Sequence, residues 1–105
     1  MATYASTEEW FEAQQQAEHE PDPKLTATFF FDIEGGGQYT LDIVEGEPSW
    51  SRGRTKEPTC TISASEENFL KMASGEMSAT KALMLRRVKI SGNMAQAMSL
   101  QKYAG

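Results

Sequence analysis

Two runs of strand-forming residues on either side of three glycines constrain the fold of this chain most strongly. Residues 25–34 are rich in aromatic and β-branched side chains, Gly35-Gly36-Gly37 follows, and residues 38–45 alternate between apolar and polar types. This composition favours strands, and a glycine turn between two short strands indicates a β-hairpin. Pairing Glu34 with Gln38 predicts that Phe31 faces Leu41, Phe29 faces Ile43 and Ile33 faces Tyr39. The hairpin then has one apolar face, which the rest of the chain must cover.

The remaining sequence predicts helices and strands in a mixed order. The capping pattern Ser6-x-x-Glu9 starts a helix that runs from Thr7 to about His19 and stops before Pro21 and Pro23. Ser65 and Ser78 are typical helix N-caps, and Gly75 is a typical helix stop. The predicted order is helix 7–19, strands 25–34, 38–45, 49–52 and 59–64, helices 66–74 and 79–83, strand 86–91 and helix 94–103. Strands interrupted once by helices predict an α+β fold with a mixed sheet.

Length and composition exclude several classes of protein. With 105 residues the chain forms one domain and buries roughly 60–70% of its unfolded surface. No apolar run approaches the roughly 20 residues that span a bilayer, and the first residues lack the pattern of a secretory signal. A single cysteine makes no internal disulfide and no thiolate cage for a metal. We therefore expect a cytoplasmic protein without a metal or cofactor.

The charge is concentrated near the N-terminus. Residues 1–23 hold six acidic and no basic side chains, whereas residues 24–105 hold nine acidic and ten basic ones. Within a single domain 1–105, we expect 1–23 to be an acidic helical arm exposed to solvent and 24–105 to be a body of sheet and helices. An acidic arm on a nearly neutral body is not a nucleic-acid footprint, which needs clustered Lys and Arg.

The candidate catalytic residues are few. His19, the only histidine, lies at a predicted helix end, where a partial positive charge suits the helix dipole. Cys60 lies on an alternating strand, where a buried thiol acts as a small apolar side chain rather than a nucleophile. The three glycines join two strands, whereas a phosphate cradle needs a helix after the loop. The sequence therefore predicts no catalytic residues, although an enzyme acting through Cys60 stays an alternative.

Methionines are concentrated in the second half of the chain. Five of the six lie within residues 72–98, among many alanines. Methionine adapts to varied apolar shapes, and small neighbours leave room for a cavity, although ordinary core packing explains each methionine singly. An apolar cavity without convergent charges suits a lipid better than a polar metabolite.

The same region resembles the sterol carrier protein type-2 domain. The resemblance rests on Phe69-Leu70, Gly75-Glu76-Met77, residues 88–94 (Val-Lys-Ile-Ser-Gly-Asn-Met) and residues 97–101 (Ala-Met-Ser-Leu-Gln). It extends over roughly residues 7–103, and the last segment is its specific part.

The resemblance implies an α+β fold: a five-stranded mixed, mostly antiparallel twisted sheet, covered on one face by helices that enclose an apolar cavity. It also implies a non-catalytic protein that binds or transfers a fatty acid, fatty acyl-CoA, phospholipid or sterol-like lipid, with transient membrane contact. The expected lipid-binding residues are Phe29, Phe31, Ile33, Leu41 and Ile43 on the sheet side and Phe69, Met77, Leu83, Met84, Met94, Ala97 and Met98 on the helix side.

The sequence leaves three further points open. Arg52, Arg54, Lys56, Arg86 and Arg87 are either anchors for a carboxylate or phosphate head group, or ordinary solvated side chains. Longer members of the family that the chain resembles have a further C-terminal segment that helps close the cavity; without it we expect a more open cavity, in a monomer or in a dimer that covers it. The alternative function is an accessory scaffold that uses the groove to hold a lipid-like intermediate or to dock a partner protein.

Overall fold

The computed structural model describes residues 4–16 and 23–99 of the chain. Its elements are α1 (Thr7–Gln16), β1 (Ala27–Glu34), β2 (Gly37–Val44), β3 (Glu47–Arg52), β4 (Cys60–Ser65), α2 (Glu66–Ala73), α3 (Ala79–Met84), β5 (Val88–Gly92) and α4 (Met94–Ser99). This order of helices and strands is the predicted one. His19, Pro21 and the predicted end of the last helix at residues 100–103 lie outside the described residues.

The five strands form one mixed sheet in the order β3-β2-β1-β4-β5. β1 pairs with β4 in parallel, and the other three neighbouring pairs are antiparallel. The chain therefore makes a three-strand meander, crosses over to pair β4 with β1, and adds β5 after two helices. β3 is an edge strand, which explains how it accommodates Pro48. The predicted α+β fold is confirmed.

The hairpin forms, but its predicted register was wrong by two positions. Phe31 pairs with Tyr39, Phe29 with Leu41 and Ile33 with Gly37. The prediction placed all three glycines in the turn, whereas only Gly35 and Gly36 make it and Gly37 starts β2. Because side chains alternate with a period of two, a shift of two leaves the same residues on the apolar face.

The opposite face of the sheet centre is covered as well. Five consecutive residues of β1, from Ala27 to Phe31, are buried. The loop after β3 explains this: the Arg54 guanidinium lies 5.7 Å from the centre of the Phe30 ring, and the Thr40 hydroxyl donates a hydrogen bond of 2.6 Å to the Gly53 carbonyl. The helices therefore cover one face, and a polar loop covers part of the other.

Helix α1 packs into the core, which corrects the expectation of a solvated arm. Trp10 and Phe11 are almost fully buried. The Trp10 ring centre lies 5.4 Å from that of Phe31 and 4.8 Å from that of Phe69. Only the acidic side of α1 faces solvent, where Glu8 forms an ion pair with Arg52. The charge of the N-terminal segment therefore belongs to one face of a core helix.

Tyr39 links α1 to the hairpin. Its buried hydroxyl lies 3.0 Å from Glu8 Oε2 and 2.7 Å from the Gly36 carbonyl oxygen. Burial, together with the hydrogen bond to the Glu8 carboxylate, raises the pKa of Tyr39 to about 12. The folded state thus favours the neutral phenol.

We expect an absorbance titration of the folded protein to show one tyrosine ionising near pH 12. Because the pKa of Tyr39 is higher in the folded state, its contribution to stability is complete below an unfolded pKa of about 10 and is lost as pH rises through 12. Tyr39→Phe removes this step from the titration curve. A curve in which every tyrosine ionises near pH 10 would contradict the assignment.

Candidate functional site

An apolar cavity of about 610 Å³ lies between the β4–β5 side of the sheet and helices α2, α3 and α4. Its sheet side is a row of neighbouring strand residues, because Phe31 pairs with Ile62 and Ile62 pairs with Ile90. Val88 extends this row along β5, and Trp10 of α1 also lines the cavity. Among the described residues, the polar side-chain groups on its lining are the hydroxyls of Ser78 and Thr80 and the indole N–H of Trp10.

Local sequence signals position the helices around this cavity. The Ser65 hydroxyl accepts from the Asn68 amide at 3.3 Å and starts α2, and the Ser78 hydroxyl accepts from the Lys81 amide at 3.1 Å and starts α3. The Asn93 side chain caps α4 by accepting from the Gln96 amide at 3.1 Å. The two serine caps are those predicted from the sequence, whereas Asn93 was expected only to break the preceding strand.

The structure brings eight of the twelve predicted residues together on the cavity lining. These are Phe31, Phe69, Met77, Leu83, Met84, Met94, Ala97 and Met98. They come from β1, from α2 and the linker after it, and from α3 and α4. Residues separated by as many as 67 positions in the sequence therefore share one surface.

The other four predicted residues do not line the cavity. Phe29, Ile33, Leu41 and Ile43 are buried in the close-packed core. Above β1–β3 the space is taken by large rings: Phe11 lies 4.5 Å from Tyr39, and Trp50 lies 5.8 Å from Phe31, centre to centre. The cavity is therefore displaced toward β4 and β5.

Nine lining residues were not predicted to be part of the site. They are Trp10, Ile62, Met72, Ala73, Gly75, Ser78, Thr80, Val88 and Ile90. The apolar alternation of β4 and β5 and the apolar stripe of α2 were visible in the sequence and could have placed several of them. Trp10 was missed because its helix was expected to face solvent.

The basic residues considered as head-group anchors do not line the cavity. Arg52 pairs with Glu8, Arg54 with Glu57 at 3.4 Å and Lys56 with Asp42 at 3.0 Å. These three belong to β3 and the loop after it. β3 is the edge strand at the opposite end of the sheet from β5. No charged side chain of the described residues lines the cavity, so the contacts that it offers a ligand are mainly dispersive and hydrophobic.

Cys60 is buried on β4, and burial raises the pKa of its thiol. Because the thiolate is the reactive form, we expect iodoacetamide to modify the native thiol far more slowly than the thiol of the urea-unfolded chain. The measurement is the alkylation rate followed by mass spectrometry at neutral pH. Equal rates in the two states would indicate an accessible, activated cysteine and would revive the enzyme hypothesis.

The described residues give two further findings about the type of site. No group of three His, Cys, Asp or Glu side chains among them could hold a metal ion. None of their helices has the length and apolar character needed to cross a bilayer.

Comparison with known proteins identifies the family. The model of the SCP-2 sterol transfer family matches residues 8–105. The chain belongs to the SCP-2 sterol transfer family. This match confirms the resemblance that the sequence motifs carried.

Individual relatives agree with this family. Sterol carrier protein 2 of Gallus gallus is 31% identical over 83 residues, which cover 74% of this chain and 15% of that protein. The crystal structure of sterol carrier protein 2 like 2 from Aedes aegypti superposes with a TM-score of 0.66 at 17% identity, covering 89% of this chain and 87% of that one. A solution structure of palmitated SCP2L2 from the same organism gives a TM-score of 0.63 at 21% identity, covering 73% and 70%. The chain thus spans about one seventh of the length of the Gallus gallus relative.

Proposed function

We propose that this chain is a non-catalytic lipid carrier that holds an apolar chain in the cavity between β4–β5 and helices α2, α3 and α4. The observation that carries the proposal is a cavity of about 610 Å³ whose described lining is apolar apart from two hydroxyls and the indole N–H of Trp10. A polar metabolite would lose its hydration there without gaining partners, whereas an acyl chain loses nothing on leaving water. The family match and the palmitated neighbour support the same ligand class.

The affinity comes from burial of the chain. Each buried methylene contributes about 0.8 kcal/mol, so about ten buried methylenes supply roughly 8 kcal/mol before the costs of ordering are subtracted. The flexible methionines of α3 and α4 adapt to chains of different shape. We therefore propose fatty acids and acyl chains as the preferred ligands, with the head group left at the opening.

We further propose that the whole chain 1–105 acts as a single lipid-binding domain. Its cytoplasmic location stays a prediction from the sequence.

Native mass spectrometry of freshly purified protein, followed by organic extraction, tests the proposal. We expect a bound fatty acid or phospholipid, or uptake of added palmitate at a ratio of one to one. A protein that is empty and takes up no palmitate would contradict the carrier function. A stoichiometric protein in place of a lipid would favour the scaffold alternative.

A charged side chain in the lining is expected to abolish most of this binding. Met77 lies in the linker between α2 and α3, lines the cavity and is partly exposed, so Met77→Glu introduces a carboxylate without replacing a core strand residue. We expect palmitate affinity to fall at least about tenfold, because the carboxylate is desolvated when the chain enters. The change in tryptophan fluorescence on addition of palmitate provides the readout, since Trp10 lines the same cavity.

Arg54→Ala is the matched control, because Arg54 lies over the Phe30 ring on the opposite face of the sheet. Its affinity for palmitate should equal that of the unchanged protein. An equal loss of affinity in both variants would show that the assigned cavity is not the binding site.

A further inference from the structure

Most of the exposed large apolar side chains of the described chain lie in one region. Of six such residues, five lie on α3, directly after it, or on α4, and only Val44 lies elsewhere. We call these five the apolar rim: Leu83, Met84, Leu85, Met94 and Met98, with exposed fractions of 36%, 78%, 53%, 51% and 77%. All of them except Leu85 also line the cavity, so the rim lies at its opening. Clustered apolar exposure of this kind is typical of an interaction surface.

The charged residues on the segment that carries the rim, from Met77 onward, all have one sign. The chain carries a net charge of −5, yet no Asp or Glu follows Glu76, while Lys81, Arg86, Arg87, Lys89 and Lys102 all do. Lys81 lies on α3, and Arg86 and Arg87 form the turn after it, next to Leu85. The segment that carries the rim is therefore entirely cationic in a chain that is acidic overall.

Three basic residues among the described part of this segment also lack acidic partners there. Elsewhere, Arg52, Arg54, Lys56 and Lys71 each form an ion pair with a Glu or Asp side chain. By contrast, Lys81 and Arg86 form no ion pair with any described acidic residue, and Arg87 only donates a 3.4 Å hydrogen bond to the Asn68 side chain. Their charges are thus available to an external anionic surface.

We propose that the apolar rim, with Lys81, Arg86 and Arg87, is a docking face for membranes that contain anionic phospholipids. Exposed apolar side chains enter the boundary between head groups and acyl chains, and neighbouring cations are attracted to anionic head groups. A second copy docked rim to rim would bring these unpaired cations against each other, which disfavours a symmetric dimer on this face. The negative remainder of the molecule is repelled by the same membrane, which orients the rim toward it.

Docking in this orientation places the cavity opening against the bilayer. If the cavity carries an acyl chain, as proposed above, the chain passes between bilayer and cavity without crossing water. This consequence depends on the carrier function, whereas the docking itself does not.

Flotation with lipid vesicles tests the docking face. We expect the protein to float with vesicles of equal parts phosphatidylglycerol and phosphatidylcholine, to stay unbound with pure phosphatidylcholine, and to be released as salt is raised. The double variant Lys81→Gln/Arg87→Gln should weaken binding about fivefold for each removed charge. The control Arg54→Gln/Lys56→Gln removes the same net charge from the other face and should bind as the unchanged protein does.

The apolar contribution has its own matched pair of variants. Leu85 is 53% exposed and outside the cavity lining, and Val44 is 50% exposed on β2. Leu85→Gln should reduce vesicle binding several-fold and Val44→Gln should not. Uptake of soluble fluorescent fatty acid without vesicles should be unchanged in Leu85→Gln, which separates failure of docking from failure of carriage.

Three outcomes would overturn the docking face. One is equal binding to neutral and anionic vesicles, and another is an equal loss of binding in the variants and their controls. The third is a concentration-dependent dimer in analytical ultracentrifugation that Leu85→Gln dissociates, which would assign the rim to a second copy of the chain.

Discussion

Replacing Trp10 with alanine is expected to lower the free energy of unfolding by about 3–5 kcal/mol. The Trp10 ring is 2% exposed and contacts the rings of Phe31, Trp50 and Phe69, with centres 5.4, 5.4 and 4.8 Å away. Alanine leaves a void beside a cavity that already exists, so neighbouring side chains have little with which to fill it. Since domains are typically stable by about 5–15 kcal/mol, this loss is a large fraction of the total.

Urea denaturation followed by circular dichroism measures the effect. Met84→Ala is the control, because Met84 is 78% exposed and its truncation should change stability by less than about 0.5 kcal/mol. A solvated N-terminal helix would make Trp10→Ala as harmless as the control. That result would contradict the packing of α1 into the core.

Replacing Gly92 with alanine is expected to destabilise the protein by about 3 kcal/mol or more and to weaken palmitate binding. Gly92 ends β5 with a φ of 100°, and a Cβ atom there would overlap the carbonyl oxygen of Thr59. The same carbonyl accepts a 3.0 Å hydrogen bond from the Asn93 amide, just before α4. The substitution therefore displaces the helix that carries three lining residues of the cavity.

Gly53→Ala provides the matched control for this prediction. Gly53 also has a positive φ, of 80°, but no atom lies within 4 Å of a Cβ placed there. Gly53→Ala should lower the free energy of unfolding by about 1 kcal/mol, through backbone strain alone, and palmitate affinity should not change. Thermal unfolding and fluorescence titration of both variants give the comparison. Equal destabilisation of the two would mean that the contact between Gly92 and Thr59 does not position α4.

The hairpin illustrates what local patterns can and cannot determine. Alternation identified the apolar face of β1 and β2 correctly, because a register error of two residues leaves every side chain on the same face. The register itself depended on how many glycines form the turn, and the triplet Gly35–Gly37 allows more than one answer. The contact between α1 and Gly36 is a tertiary one, which a local pattern does not reveal: a Cβ at Gly36 would overlap the Thr7 side chain.

The cavity also depends partly on local sequence signals and partly on tertiary packing. Capping serines, helix stops and the methionine cluster predicted which helices lie near it, because these signals act over a few residues. Its position toward β5 depends on Trp10 and Phe11, which fill the space above β1–β3 from a helix that the charge pattern had suggested was exposed. The acidic residues of α1 are compatible with burial because they lie on its outer face.

The sequence by itself determined the order of elements, the α+β class, the apolar faces of the strands and the family, since these depend on periodicity, capping and short motifs. Only the tertiary structure decided the strand register, the placement of α1 in the core and which apolar residues line the cavity rather than fill the core. Those outcomes depend on how large rings from distant segments share a limited volume. Because the interior is close-packed, the space open to each ring is defined only once the elements have assembled.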